Sequence, residues 1–175
     1  MHYAGIGSRE TPQDVLSLMQ KIGRALALKE YTLRSGGANG ADTAFEQGCD
    51  MVEGKKEIFL PWRNFNNHNS ELFNVSNEAL NMASNLHPAW DKCSQGAQRL
   101  HARNCYQILG ENLDTPVEFV VCWTKYPKAS GGTALGVRLA EENNIPVFNL
   151  VNGIDGFREE YKKRFDSGGS SMVER

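Results

Sequence analysis

The sequence of 175 residues lacks several features that would mark a membrane, secreted or disulfide-stapled protein. No apolar run approaches the roughly 18 residues that a membrane helix needs. The first residues carry neither the basic start nor the long apolar core of a signal peptide. The four cysteines form no Cys-x-x-Cys pair, and their spacing matches no disulfide framework. We therefore expect a cytoplasmic chain without membrane contact, whose cysteines are reduced, free and mostly buried.

An excess of charge of either sign is also missing. Lys and Arg total 19 against 21 Asp and Glu, which gives a formal net charge of −2. Domains that grip nucleic-acid phosphates are usually basic, so this balance disfavours nucleic acid as a partner without excluding a local basic groove. Hydrophobic residues make up 40 % of the chain, enough for a core. We expect one domain over residues 1–166 and a disordered tail at 167–175.

Short apolar stretches alternate five times with helical patterns along the chain. The predicted strands are His2–Ile6, Tyr31–Leu33, Glu57–Leu60, Val117–Trp123 and Pro146–Leu150. This alternation is typical of an α/β fold, with a parallel sheet of about five strands and helices on both faces. Thr11 is expected to cap the first helix, with Pro12 at its first position. Residues 61–92 are rich in asparagine and are interpreted as an insertion or lid with one short helix near 70–83.

Small and flexible residues follow three of the predicted strands. Gly7, Ser8 and Arg9 follow the first, residues 35–42 (SGGANGAD) the second, and residues 130–133 (SGGT) the fourth. The carboxyl ends of parallel strands share one edge, where open α/β folds bind ligands, and helix N-termini there offer free N–H groups. The pattern predicts an anion site, most naturally for phosphate, although glycines that merely turn the chain remain an alternative. Neither the P-loop nor the dinucleotide fingerprint is present, so we expect no binding of ATP or NAD in those frameworks.

Four segments carry a resemblance to a known superfamily. They are GIGSRETP, SGGANGADTAFE, RLHARNCYQILG and SGGTALGVRLAEENNIPVFNL, within residues 1–60 and 100–150. Their order and spacing resemble the SLOG superfamily, which includes the DNA-processing protein DprA/Smf, the LOG phosphoribohydrolases and the YspA-like proteins. The glycine loops look closest to the DprA and YspA side. The HPAW and CWT segments resemble phage or mobile-element relatives of DprA.

The resemblance implies a Rossmann-like sheet that binds a phosphorylated nucleotide or nucleotide-derived signal. The protein would act as a sensor, a sequestering protein or an N-glycosidic hydrolase, as a homodimer and without a cofactor. The residues that would bind the ligand or its phosphate are Gly7, Ser8, Arg9, Ser35, Gly36, Gly37, Gly40, Asp42, Arg103, Asn104, Gly131, Gly132 and Thr133. A DprA-like single-stranded DNA-binding recombination mediator is the alternative, and an interaction protein with purely structural glycine loops is a third.

The sequence departs from the LOG pattern at one position. LOG-type hydrolases carry Gly-Gly-x-Gly-Thr-x-x-Glu, whose Glu assists cleavage, and Gly136 stands at the position of that Glu. This departure favours binding without hydrolysis. Four carboxylates could take the place of that Glu, and the sequence selects none of them: Glu10, Asp42, Glu46 and Glu141. Arg103, Asp42 and Glu46 are therefore only weak candidates for catalysis.

Two further groups of residues have competing interpretations. His87, Cys93, His101 and Cys105 could ligate a metal, but they lack paired ligand spacing at both ends, which favours packing residues and predicts no metal site. Four aromatic residues of the insertion region could stack on a base or anchor a lid to the core: Trp62, Phe65, Phe73 and Trp90. Lys125, at the end of the fourth strand, could reach a phosphate or lie in solvent.

Overall fold

A computed structural model of the protein describes residues 1–128 and 131–166. Its sheet has five parallel strands in the order β3-β2-β1-β4-β5. The strands are β1 (His2–Gly5), β2 (Thr32–Ser35), β3 (Lys56–Ile58), β4 (Val120–Cys122) and β5 (Val147–Asn149). The expected α/β fold with a parallel sheet is confirmed. The predicted tail at 167–175 lies outside the described residues.

In the described residues, six α-helices cover the two faces of the sheet. They are α1 (Gln13–Leu28), α2 (Ala41–Asp50), α3 (Asn77–Leu86), α4 (Gln95–Leu109), α5 (Thr133–Glu142) and α6 (Asp155–Phe165). Helices α1, α2 and α6 bury their apolar stripes in one cluster, and α3, α4 and α5 bury theirs in a second cluster. None of the helices in the described residues combines the length and apolarity needed to span a membrane.

The sequence pattern explains where most elements lie. All three residues of β4 are buried, because β4 lies between β1 and β5 and is covered by helices on both faces. The predicted cap of α1 is wrong. Pro12 immediately precedes the helix, and the Thr11 hydroxyl instead donates a 2.6 Å hydrogen bond to the Ser8 carbonyl. Thr11 therefore stabilises the turn after β1 and does not cap the helix.

The asparagine-rich residues 61–92 are integrated into the second helical layer. Their one α-helix, α3, begins later than predicted, after Ser76, whose hydroxyl accepts a 3.1 Å hydrogen bond from the Ala79 amide. Ala79 and Ala83 are fully buried in the same cluster as α4. These small side chains let α3 pack closely on α4, so the segment supports α4 from outside.

The strand order places a crevice beside the centre of the sheet. The chain winds outward from β1 to β2 and β3, then returns to place β4 on the other side of β1. The connections after β1 and β4 therefore diverge to opposite sides. This is the switch point at which open α/β sheets bind ligands.

Candidate functional site

A cavity of about 470 Å³ opens at the carboxyl edge of the sheet, at this switch point. Segments from the β1 turn, the start of α2, one side of α4 and the start of α5 line it. Nine of the residues expected to bind the ligand lie in its wall: Gly7, Ser8, Arg9, Asp42, Arg103, Asn104, Gly131, Gly132 and Thr133. Folding therefore brings together residues that are up to 126 positions apart in the sequence, from 7 to 133.

The other expected binding residues lie outside the cavity wall. Ser35, Gly36 and Gly37 are buried, and Gly40 is half-buried. A Cβ atom on Gly36 would lie 2.2 Å from the Gln107 amide nitrogen and 2.8 Å from Nη1 of Arg103. Side chains of α4 therefore cover the first residues of the β2 turn, and of residues 35–40 only Ala38 lines the cavity.

Gly40 is required by the contact between two loops. Its φ is +84°, and a Cβ atom there would lie 2.8 Å from both the Ser8 carbonyl oxygen and the Arg9 Cα. The Ser8 carbonyl also accepts a 3.4 Å hydrogen bond from the Ala41 amide. The glycine thus lets the β1 turn rest directly on the start of α2.

Arg103 is the buried cation of the cavity, only 5 % exposed. Nη1 donates hydrogen bonds to the carbonyls of Gly36 and, at 3.0 Å, Phe59, and Nε donates at 3.0 Å to Oδ1 of Asn104. Within the described residues, no carboxylate forms an ion pair with it and Nη2 has no hydrogen-bond partner. Burial lowers the pKa of Arg103, while the charge of Asp42 raises it. Arg103 thus offers a fixed positive charge, and the described residues use neither N–H bond of its Nη2.

Asp42 supplies a buried carboxyl group in the same cavity. Its Oδ2 accepts a 3.2 Å hydrogen bond from the Ala38 amide, and the residue is 4 % exposed. Burial raises its pKa to about 6, against the opposing effects of Arg103 and the Ala38 amide. Asp42 can therefore accept a hydrogen bond from a ligand hydroxyl when ionised, or donate one when protonated.

The start of α5 forms the third wall of the cavity. Asn104 donates a 2.9 Å hydrogen bond from Nδ2 to the Gly132 carbonyl, so the side chain next to Arg103 holds this turn. A Cβ atom on Gly131 or Gly132 would meet nothing within 4 Å. The first N–H groups of α5 therefore border open space, where an anion can approach the helix N-terminus.

Sequence reasoning missed most of the contribution of α4. Ala97, Leu100, His101 and Gln107 also line the cavity. With Asn104 they occupy positions i, i+3, i+4, i+7 and i+10 of one helix, which is the signal that could have identified them. Ile6, Glu10, Ala38 and Gly136 complete the wall together with Phe65.

The four aromatic residues that could stack on a base lie in different surroundings. Phe65 lines the cavity and lies 5.5 Å below the Arg103 guanidinium, measured to the ring centroid. Trp62 stacks edge-on against Phe65 at 5.4 Å and is 39 % exposed. Phe73 and Trp90 pack against the hydrophobic clusters instead. Lys125 does not line the cavity.

The four carboxylates that could replace the LOG-type Glu differ in whether they reach the cavity. Asp42 and Glu10 line it, whereas Glu46 and Glu141 do not. Glu46 is engaged at 2.7 Å with Lys56 and at 2.8 Å with Nε2 of His68. Gly136 lies in the wall, where a Cβ atom would be 3.3 Å from Cδ1 of Ile6. The position of the LOG-type Glu thus faces the ligand space but carries no side chain.

The four cysteines are all free. Cys49, Cys105 and Cys122 are buried, and burial raises the pKa of Cys49 to about 11 and those of Cys105 and Cys122 to about 12. The expectation of free, mostly buried thiols is confirmed. Cys93 is half-buried and lies beside His87 and His101, whereas Cys105 belongs to the second hydrophobic cluster.

No family model and no curated protein matches the sequence. Solved structures do share its fold. DNA processing protein A from Helicobacter pylori, described for its single-stranded DNA binding mode, matches with a TM-score of 0.57 and 18 % identity over 99 % of this chain and 77 % of that chain. The molybdenum cofactor binding protein from Rippkaea orientalis matches with 0.57 and 19 % identity over 98 % and 90 %.

A third solved structure has the same fold in a longer chain. DNA processing protein A from Streptococcus pneumoniae matches with a TM-score of 0.51 and 16 % identity, over 97 % of this chain and 58 % of that chain. At these identities the likeness shows the fold alone. That fold is the Rossmann-like sheet that the motifs led us to expect from a SLOG-type chain.

Proposed function

We propose that the protein binds a phosphorylated nucleotide or a nucleotide-derived small molecule at the carboxyl edge of its sheet. The observation that carries this proposal is the cavity of about 470 Å³, in which the β1 turn, Asp42, Arg103 and the start of α5 converge. A cavity of this size accommodates a ligand of nucleotide dimensions.

The phosphate is assigned to the side of the cavity formed by Gly131, Gly132 and Arg103. The start of α5 supplies unpaired N–H groups and a partial positive charge. Arg103 adds a full charge that no carboxylate of the described residues neutralises by direct contact. The charge-assisted hydrogen bonds of a guanidinium with a phosphate are about twice as strong as neutral ones.

The nucleoside portion is assigned to the remaining wall. Phe65, Ala97 and Leu100 offer apolar surface, and an aromatic face such as that of Phe65 can stack on a base. Asp42 is the acceptor for a ribose hydroxyl. Its raised pKa of about 6 means that this acceptor is only half ionised at about pH 6 and becomes fully ionised at higher pH.

Binding without cleavage is the function that the carboxylates favour. N-glycosidic hydrolysis needs a carboxylate beside the scissile bond, and Gly136 leaves that position empty. Asp42 and Glu10 are the weighed carboxylates that line the cavity. We therefore propose a sensor or sequestering protein, with hydrolysis requiring one of these two residues.

The proposal is tested by mass spectrometry with a panel of nucleoside monophosphates, cyclic dinucleotides and ADP-ribose. Gly132→Val fills open space at a φ of −63°, so it should block the cavity while preserving the fold. Gly156→Val, at an exposed position of α6, is the matched control. We expect unchanged ligand to be recovered from the wild type and the control but not from Gly132→Val.

Other outcomes of this experiment are informative. A free base with ribose 5-phosphate would show hydrolysis and direct attention to Asp42 and Glu10. No binding by the wild type to any panel member would overturn the proposal.

Single-stranded DNA binding is the second candidate, because the Helicobacter pylori protein of similar fold is described for that property. The net charge of −2 does not support it. Affinity for oligonucleotides that falls steeply with salt would favour this function, since counterion release gives phosphate contacts that signature.

A further inference from the structure

Three potential metal ligands from separate segments meet beside the nucleotide cavity. His87 follows α3, Cys93 follows the short helical turn at Trp90–Lys92, and His101 lies on α4. One ligand atom from each residue lies within 4.8 Å of the other two. Nε2 of His87 is 3.8 Å from Sγ of Cys93, and the two imidazole ring centroids are 4.5 Å apart.

We propose that His87, Cys93 and His101 form a Zn²⁺ site. A thiolate with two imidazoles is a nitrogen and sulfur donor set that Zn²⁺ accepts in tetrahedral geometry. With Zn–S and Zn–N bonds of typical length, ligand atoms in such a site are separated by about 3.5 Å. The observed separations require only a small inward movement of partly exposed side chains.

A second observation points to a missing ligand at this position. Nδ1 of His101 is buried and has no hydrogen-bond partner in the described part of the chain. Buried polar atoms are rarely left unpaired in folded proteins. Coordination of a metal ion through Nδ1 of His101 would give this nitrogen the partner that the protein does not supply.

The hydrogen bonds of His87 select its ligand atom. Nδ1 accepts a 3.0 Å hydrogen bond from the Ala89 amide, which leaves Nε2 directed towards Cys93. Coordination through Nε2 places the ring proton on Nδ1, so the bond from Ala89 must be given up. The metal–ligand bonds formed in exchange outweigh this single hydrogen bond.

The site would retain room for a fourth ligand. His87 and His101 both line a second cavity of about 470 Å³, together with Gly131, Gly132 and Arg138. Water can enter there and complete the coordination, as in zinc sites with three protein ligands. Cys105, one turn after His101, lies in the hydrophobic cluster and takes no part. The prediction of no metal site rested on the lack of paired ligand spacing in the sequence, and spacing alone does not show that separate segments bring these three side chains together.

The test measures metal content in the full chain without any nucleotide. Protein is loaded with Zn²⁺ or Co²⁺, dialysed and analysed by mass spectrometry for bound metal, with absorption spectroscopy of the Co²⁺ form. We expect about one ion per chain and a thiolate-to-cobalt charge-transfer band. Cys93→Ser and His101→Gln should each weaken binding by roughly 100-fold or more.

Matched controls separate ligation from folding. Cys105→Ala removes the neighbouring thiol and His2→Gln removes a remote histidine on β1, and both should retain the metal. Circular dichroism checks that every variant is folded. The proposal is overturned if the wild type loses all metal on dialysis, or if Cys93→Ser and His101→Gln retain as much as the controls. Because no nucleotide is present, neither result depends on the function proposed above.

Discussion

Two arginines are almost completely buried, and their surroundings differ. Arg34 is 2 % exposed and Arg103 is 5 % exposed. Nε of Arg34 lies 2.8 Å from Oε1 of Glu57, and Nη1 donates to the Thr115 carbonyl. Arg103 donates to carbonyls and to Asn104, with no carboxylate in direct contact among the described residues. Glu57 neutralises the charge of Arg34 in a structural ion pair. The charge of Arg103 has no such partner and remains available to an anion.

This difference indicates where a ligand is needed. Burying an unpaired charge costs free energy, so a buried charge without a partner is rare in proteins and points to a function. The carbonyl acceptors of Arg103 position its guanidinium at the cavity but do not cancel its charge. An anionic ligand would neutralise the charge of Arg103 as Glu57 neutralises the charge of Arg34. Each of the following predictions tests this contrast.

Among the described residues, Asp42 is the carboxylate whose charge raises the pKa of Arg103, and its own titration should change the free energy of unfolding. Its pKa is raised from 3.8 to about 6 in the folded protein, so the unfolded chain loses this proton first as pH rises. The wild type should therefore lose up to about 3 kcal/mol of unfolding free energy between about pH 4 and 7 relative to Asp42→Asn. Urea denaturation of both proteins at several pH values measures this difference. Parallel pH profiles would show that Asp42 ionises normally, and would weaken the contrast.

Arg103→Met should lower ligand affinity by roughly 10- to 100-fold, because one or two charge-assisted hydrogen bonds are lost. Titration calorimetry with the ligand identified by the nucleotide panel measures the effect, after the folded fraction has been determined. Arg103→Lys keeps the charge without the planar guanidinium and should recover part of the affinity. Unchanged affinity in Arg103→Met would place the anion elsewhere.

Arg34→Met should act on stability alone. Loss of the bonds to Glu57 and Thr115 should lower the free energy of unfolding by about 2 kcal/mol, a modest cost because the Glu57 side chain is 35 % exposed and can be solvated. Ligand affinity per folded molecule should not change. A parallel loss of affinity would contradict the division between the two arginines.

Asn104→Ala tests the smallest element of the arrangement, the bond that connects the neighbour of Arg103 to the start of α5. Losing its 2.9 Å hydrogen bond to Gly132, together with the 3.0 Å bond that its Oδ1 accepts from Nε of Arg103, should reduce ligand affinity by roughly 3- to 10-fold. Asn143→Ala is the matched control, since Nδ2 of Asn143 donates at 2.8 Å to the Leu139 carbonyl at the other end of α5. Equal affinities of the two variants would show that the α5 turn needs no such support.

The strand-to-helix junctions could be predicted from sequence because glycine and hydroxyl residues after apolar strands are a local signal. The parallel sheet and the positions of Gly7, Ser8 and Gly132 at the cavity follow from that signal. The side chains that cover a junction could not be predicted, because they come from distant segments. Gly36 has the sequence of a ligand loop, yet Gln107 and Arg103 of α4 close it off.

The same limit applies to the histidines and cysteines. Spacing along one helix pairs His101 with Cys105, and only the path of the chain after α3 brings His87 and Cys93 to His101. The prediction that Thr11 caps α1 was wrong for the opposite reason. Thr11 has a local alternative, the Ser8 carbonyl, which competes with the helix for its hydroxyl.

The unequal burial of the thiols has a practical consequence. Three of them are both inaccessible and, at neutral pH, fully protonated, because the pKa values of Cys49, Cys105 and Cys122 are raised to about 11 or 12. Thiolate-selective reagents should therefore modify Cys93 alone in the folded, metal-free chain, because Zn²⁺ at the proposed site would hold its sulfur. An environment-sensitive fluorophore attached there would report from beside the cavity at the carboxyl edge of the sheet without removal of any native cysteine.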